Sequence, residues 1–193
     1  CSNSGPVTGT SSIGGMAGGN GGTIIASYNI GSVKGSGSCG GVAGYSNGTI
    51  TACYNSGSVK GSDGCGGVAG SNTTGTITAC YSTGAVSGDR TVGGVVGFNN
   101  EGFIMACYWA TSPDIGVGGS SRSSQVTTKF GGDDAWPKTD TNTTDISAYG
   151  GSHRNYANAW GIGSKDGSGP GNYWKDLGNP STPAYPKLWW EKD

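Results

Sequence analysis

Residues 40–65 read GGVAGYSNGTITACYNSGSVKGSDGC, and the chain on either side largely repeats them. A Gly-Gly-hydrophobic-Ala/Val-Gly signature occurs at 14–18, 40–44, 66–70 and 93–97, in steps of 26, 26 and 27 residues. A fixed period of that length marks a solenoid or similar array, in which each copy is one structural unit. The 41 glycines among 193 residues therefore have a regular job. They follow no Gly-X-Y triplet, which excludes collagen, and Val, Ile, Cys and Tyr recur at fixed phase among them, which excludes a flexible linker.

Each copy predicts short extended segments separated by glycine corners. In residues 40–65 these are Gly41 to Tyr45, Thr49 to Asn55 and Ser58 to Lys60. The middle segment alternates in the two-residue period of a half-buried strand. It predicts Ile50, Ala52 and Tyr54 on one face and Thr49, Thr51 and Cys53 on the other. In the third segment only Val59 is apolar, so it is expected to point inward between Ser58 and Lys60. Helix is disfavoured, because glycine costs ~1 kcal/mol against alanine in a helix. At the corners it is expected to supply positive φ.

Like residues fall in like phase, and this predicts a stack. Ile24, Ile50, Ile77 and Ile104 form one row, and Val33, Val59 and Val86 a second that begins at Val7. Met16, Val42, Val68 and Val95 form a third, and Ala26, Ala52, Ala79 and Ala106 a fourth. Parallel coils ~4.8 Å apart set such rows one above another. The few medium apolar side chains of one copy cannot offset the entropy of ordering it, so stability must come from contact between neighbouring coils.

The expected fold is all-β: a right-handed parallel β-solenoid of about four coils over residues 1–110, right-handed because parallel crossovers are. Cys1 stands in the phase of Ser27, Cys53, Cys80 and Cys107, so the first residues fall in mid-repeat and suggest a fragment of a longer protein. The strand edge near Val7 and Ile13 is then expected to pair edge to edge with another molecule or to fray.

Composition narrows the function. Eleven basic residues against twelve acidic ones leave a net charge of -1, without the basic stripe of a nucleic-acid binder. No run approaches the ~18 apolar residues of a membrane span. Six cysteines allow disulfides, with Cys39–Cys53 and Cys65–Cys80 conceivable within one copy. Ile13 and Val92 fill the phase of Cys39 and Cys65 elsewhere, which favours free, stacked thiols behaving as small hydrophobes. Zinc-type Cys/His spacing is absent, and no metal or other cofactor is expected.

The copies GGVAGYSNGTITACYNSGSVKG and GGVAGSNTTGTITACYSTGAVSG resemble the GLUG motif, a glycine-rich repeat of bacterial extracellular proteins that is abundant in gut Bacteroidetes. It also lies beside the catalytic part of some IgA-cleaving peptidases. The resemblance covers roughly residues 1–110. It implies a secreted or surface-exposed β-solenoid with a structural or adhesive role, partnered by a host or bacterial surface protein or glycan. No catalytic residue is implied.

Beyond Cys107-Tyr108-Trp109 the period fails, and five of the six tryptophans lie past residue 130. Residues 111–193 are expected to be an aromatic-rich cap covering the open end of the stack. Within them Trp160, Tyr173 and Trp174 sit among Gly, Asn and Asp and are candidates to stack on a sugar ring, which would make the region a carbohydrate-binding module. Asp133, Asp134, Asp140 and Asp145 lack calcium-loop spacing. His153 is the lone histidine, and Glu101 and Glu191 are too far apart in sequence to read as a paired-glutamate site, although an Asp pair stays open. A polysaccharide-active β-helix enzyme therefore rests on fold analogy alone. Thr49, Thr51, Thr76 and Thr78 form a T-x-T array like that of an ice-binding solenoid, yet Thr23-Ile24-Ile25 and Phe103-Ile104-Met105 interrupt it.

Overall fold

A computed structural model describes residues 1–105, 107–110, 113–121, 127–129, 174–176 and 187–191. It forms two compact units, residues 1–129 and 130–193. The first is a parallel β-solenoid of about four turns, with no helix among the described residues.

Each coil has five sides, and five parallel sheets run along the stack. The first sheet holds Ser2–Asn3, Tyr28–Asn29, Tyr54–Asn55, Tyr81–Ser82, Cys107–Trp109 and Thr127–Lys129. The second holds Val7–Thr8, Val33–Lys34, Val59–Lys60 and Val86–Ser87. The third holds Ile13–Gly14, Cys39–Gly40, Cys65–Gly66 and Val92–Gly93. The fourth holds Ala17–Asn20, Ala43–Ser46, Ala69–Asn72, Val96–Asn99 and Val117–Ser120. The fifth holds Thr23–Ile25, Thr49–Thr51, Thr76–Thr78 and Phe103–Met105.

Residues at equal phase are direct register partners, as the rows require. Ile50 lies against Ile24 and Ile77, and Val59 against Val33 and Val86. The solenoid also continues past the last recognisable repeat. Val117–Ser120 pairs with Val96–Asn99, and Thr127–Lys129 with Cys107–Trp109, so the parallel ladders run on to Lys129.

Three of the glycines in residues 40–44 have separate steric reasons. A Cβ on Gly40 would come within 1.9 Å of the Ala43 carbonyl oxygen and 2.6 Å of the Gly70 nitrogen. One on Gly44 would meet the Ile13 nitrogen at 2.3 Å. These two positions bring the third and fourth sheets together backbone to backbone. The interior is thereby split in two. One cluster is built on Val42, Ile50, Cys53 and their row partners, the other on Val33, Cys39, Val59 and Cys65. A Cβ on Gly41 would instead strike the Asn55 side chain, at 2.2 Å.

The corner chemistry differs from expectation. Among the described glycines only Gly64, at φ 59°, is in the left-handed region, so close approach is what most of them supply. The left-handed corner falls to alanine: Ala26, Ala52 and Ala79 have φ of 45°, 51° and 53°. This turn breaks the alternation read through Thr49 to Asn55. Ile50 and Ala52 are buried as expected, but Cys53 turns inward and Tyr54 outward. The single predicted strand becomes two, Thr49–Thr51 and Tyr54–Asn55, on different sides of the coil.

Buried amides run the length of the stack. Asn3 Nδ2 donates to Asn29 Oδ1 at 2.7 Å, and Asn29 Nδ2 to Asn55 Oδ1 at 2.8 Å. Asn55 Nδ2 donates to Ser82 Oγ at 3.4 Å. The same nitrogens also reach the carbonyls of Gly5, Gly31 and Gly57, at 2.8, 2.7 and 2.7 Å. At the next rung Trp109 occupies the phase, its indole donating to the Pro113 carbonyl at 2.8 Å and filling the space over Gly94. A second row runs Asn20, Ser46, Asn72, Asn99. Asn20 Nδ2 donates to Ser46 Oγ at 3.2 Å and Asn72 Nδ2 to Asn99 Oδ1 at 2.8 Å. Between them Asn72 Oδ1 is buried and receives no hydrogen bond, because the short Ser46 side chain stands below it.

Asn55→Ala would orphan the Asn29 amide and the Gly57 carbonyl, each at ~1–3 kcal/mol. A loss of about 3 kcal/mol is expected in urea unfolding of the variant. Ser46→Asn has the opposite sign: its amide would reach Asn72 Oδ1 as Asn72 reaches Asn99, and a gain of about 1 kcal/mol is expected in the same assay.

Candidate functional site

The cysteines are the most reactive side chains that the repeats carry. All six are free thiols; Cys1 is exposed and the other five are buried. Cys39 and Cys65 are register partners on the third sheet. Cys53, Cys80 and Cys107 follow Ser27 at the corner after the fifth sheet. The residue pairs conceivable as bridges within a copy, such as Cys39 and Cys53, lie in the two separate interior clusters.

The corner row has a local reason. The side chain at this corner donates back to the carbonyl two residues before it: Ser27 to Ile25 at 2.8 Å, across the left-handed Ala26, then Cys53 to Thr51, Cys80 to Thr78 and Cys107 to Met105, each at 3.2 Å. Burial pushes the Cys39 and Cys80 thiols up, and Cys65 is raised to about 11 by burial and then by its neighbours Cys39 and Asp63. A nucleophilic cysteine needs a thiolate at working pH. These three are held protonated, so they act as packing groups and weak donors.

Among the described residues no group of three or more His, Cys, Asp or Glu side chains could hold a metal ion. No helix among them is long and apolar enough to cross a membrane. His153, Asp133, Asp134, Asp140 and Asp145 lie outside the described residues, as do Trp160 and Tyr173. Trp174 is described: it sits in Trp174–Asp176, paired antiparallel with Lys187–Leu188, and is 3% exposed, so its ring is not presented to solvent. Of the three candidate aromatics, only Trp174 thus falls within the described residues. Trp189 is 49% exposed.

What the solenoid presents outward is a set of rows. The fifth sheet carries Thr49 and Thr51 in register with Thr76 and Thr78, flanked by exposed Ile25 on one side and exposed Phe103 and Met105 on the other. The hydroxyl array is thus two coils wide. The second sheet sets Lys34 beside Lys60, both exposed. On the first sheet Tyr28, Tyr54 and Tyr81 stack with centroids 4.9 Å apart at each step and interplanar angles of 14° and 5°. The first two rings are half-buried and Tyr81 is covered. Sequence reasoning missed this ladder by placing Tyr54 inside, although the recurrence of tyrosine at positions 28, 54, 81 and 108 was a readable signal. The fourth sheet is the least uniform: its outward row reads Gly19, Tyr45, Ser71, Phe98, Gly119.

No family model, curated protein or solved structure matches the chain.

The thiol assignment has two readouts. Under denaturing, non-reducing conditions a thiol reagent is expected to label six cysteines, and in the native state at neutral pH Cys1 alone; fewer than six would mean a disulfide. The pH dependence follows from the raised values. Below about pH 9 folded and unfolded Cys65 are both protonated and stability is unaffected. Between about 9 and 11 only the unfolded thiol ionises, so stability falls as pH rises through that window. Urea midpoints are expected to drop across it, and Cys39→Val/Cys65→Val, which copies the apolar Ile13 and Val92 of the same row, should flatten the drop.

Proposed function

We propose that this chain is a non-enzymatic structural and adhesive repeat region of a bacterial cell-surface protein, of the kind that its resemblance to GLUG-motif repeats implies. The observation that carries the reading is the division of labour between inside and outside. The Ile, Val and Asn rows that run through the coils are buried and hold the rod together, while the outward rows are hydroxyl, lysine and aromatic side chains set at one-rung spacing. A stiff support that repeats weak contacts gains by multivalency, since each further contact is made at high effective concentration. The expected partner is a surface protein or glycan of host or bacterial origin, met outside the cell.

Two other readings have less to stand on. A polysaccharide-active enzyme needs clustered acid and base groups, and among the described residues no three His, Cys, Asp or Glu side chains form a group that could hold a metal ion. An ice-binding face needs a hydroxyl array longer than two coils.

The test is to immobilise the 193-residue chain and screen it against arrays of host glycans and matrix proteins, with a polysaccharide-degradation assay in parallel. Saturable binding that strengthens with surface density, without release of reducing ends, is the expected result. Depolymerisation of any polysaccharide would overturn the non-enzymatic reading.

A further inference from the structure

One coil carries two small residues where its neighbours carry larger ones, on adjacent sides of the rod. At the corner before the third sheet the row reads Ser12, Ser38, Gly64, Thr91, so the rung of Gly64 has no side chain. On the fourth sheet the same rung presents Ser71 outward, between Tyr45 on one side and Phe98 on the other. The two gaps join into a notch of about 310 Å³ lined by Ser38, Asp63, Gly64, Ser71, Thr91 and Phe98. That volume lies at the lower end of the ~300–1,000 Å³ of small-molecule clefts.

The notch is held in shape. Thr91 Oγ1 accepts from the Gly64 nitrogen at 2.9 Å and donates to Asp63 Oδ1 at 2.8 Å. Gly64 and Thr91 both take left-handed backbone conformations, φ 59° and 39°, which turn this corner outward. The Phe98 ring is 38% exposed and is backed on one side by Gly119, where even a Cβ would lie only 3.0 Å from Phe98 Cδ2. Its other side lines the notch.

Spacing and chemistry then select the ligand. Tyr45 and Phe98 stand two ladder steps apart, ~9.6 Å at ~4.8 Å per step. A flat ring placed over Ser71 would lie ~4.8 Å from each, within the range of offset ring stacking. The chain shows that spacing itself, in the 4.9 Å steps of its tyrosine ladder. The edges of the notch are the hydroxyls of Ser38, Ser71 and Thr91 and the carboxylate of Asp63. A carboxylate has roughly four acceptor sites and Thr91 uses one, so Asp63 can still accept from a ligand hydroxyl. An anion would be repelled by Asp63, and a bare cation would find one carboxylate only. A ring with apolar faces and a rim of hydroxyl groups satisfies both walls and edges.

We propose that this notch is a binding site for a single hexopyranose unit of a glycan, seated over Ser71 between Tyr45 and Phe98 with its hydroxyls on Asp63 and Ser38. The proposal gives the adhesive surface a ligand class and rests on that reading. It uses none of Trp160, Tyr173 and Trp174.

The test titrates the whole chain with methyl glucoside, galactoside, mannoside and N-acetylglucosaminide, read by saturation-transfer NMR and calorimetry. At least one pyranoside is expected to bind. Ser71→Tyr completes the aromatic row, as Tyr45 does one rung away, and so should fold while reducing affinity tenfold or more; Phe98→Ala should weaken it by about tenfold, the order of one lost ring stack. Asp63→Asn should weaken it less, and Thr8→Ala, exposed on the second sheet, should leave it unchanged. Absence of binding to every pyranoside, or binding untouched by Ser71→Tyr in a variant whose melting is unaltered, would overturn the proposal. So would equal binding of indole, which has the ring without the hydroxyls. Array binding by the parent chain that survives Ser71→Tyr would sink the notch and leave the adhesive reading standing; no array binding by the parent chain would sink the adhesive reading instead.

Discussion

Everything in this rod depends on two backbones lying closer together than side chains allow. At Gly40 and Gly44, and at the equivalent glycines of the other coils, the third and fourth sheets meet with no Cβ between them, and any larger residue would collide with main-chain atoms at 1.9 to 2.9 Å. Main-chain atoms cannot rotate away as a flexible side-chain end can, so the coil would have to open. The contact also divides the interior into two narrow columns, each a stack of small or branched side chains one rung deep. Narrow columns suit Val, Ile, Ala and Cys, and this is why so glycine-rich a chain still finds a core.

Polar groups enter that core under a strict condition. A buried amide is tolerable when its donors and acceptor are used, and the stack meets the condition by translation: Asn29 and Asn55 each donate once to their own coil and once to the next. The repeat therefore solves the problem once and copies it. Where a copy departs, the pairing fails locally, as at Asn72 Oδ1 above Ser46. Trp109 ends the other row with a side chain that fills the space and needs no partner beyond the rung.

Much of this was legible in the sequence because a one-dimensional stack turns spatial neighbours into residues at fixed separation. The period, the parallel register and the Ile and Val rows came from phase alone, and Val59 points inward as its polar flanks required. Two features were not legible. Nothing in Thr-Ile-Thr-Ala-Cys-Tyr signals a left-handed residue, since alanine is not the residue expected at positive φ; with Ala52 turned, Cys53 and Tyr54 exchange sides and one strand becomes two. Glycine was expected to supply that conformation and mostly supplies proximity. The strands Val117–Ser120 and Thr127–Lys129 were also hidden, because they keep the ladder without keeping the motif. For the candidate site, Ser71 and Gly64 carry no motif: the notch is visible only as an absence, one rung wide, in rows that the fold first has to align.

The orphaned acceptor of Asn72 has a mechanical consequence. Tension along the rod pulls each coil from the next, and at every interface five ladders and the internal amide rows share the load side by side. Successive interfaces carry the same force in series, so extension is governed by the weakest of them. The two rows break at different steps: from Ser46 to Asn72 one row has no bond while Asn55 still reaches Ser82 in the other, and from Asn72 to Asn99 the first row is bonded while Trp109 stands against Ser82 in the second. No described step therefore loses both amide rows, so force along the stack meets its two gaps at successive interfaces and not gathered at one.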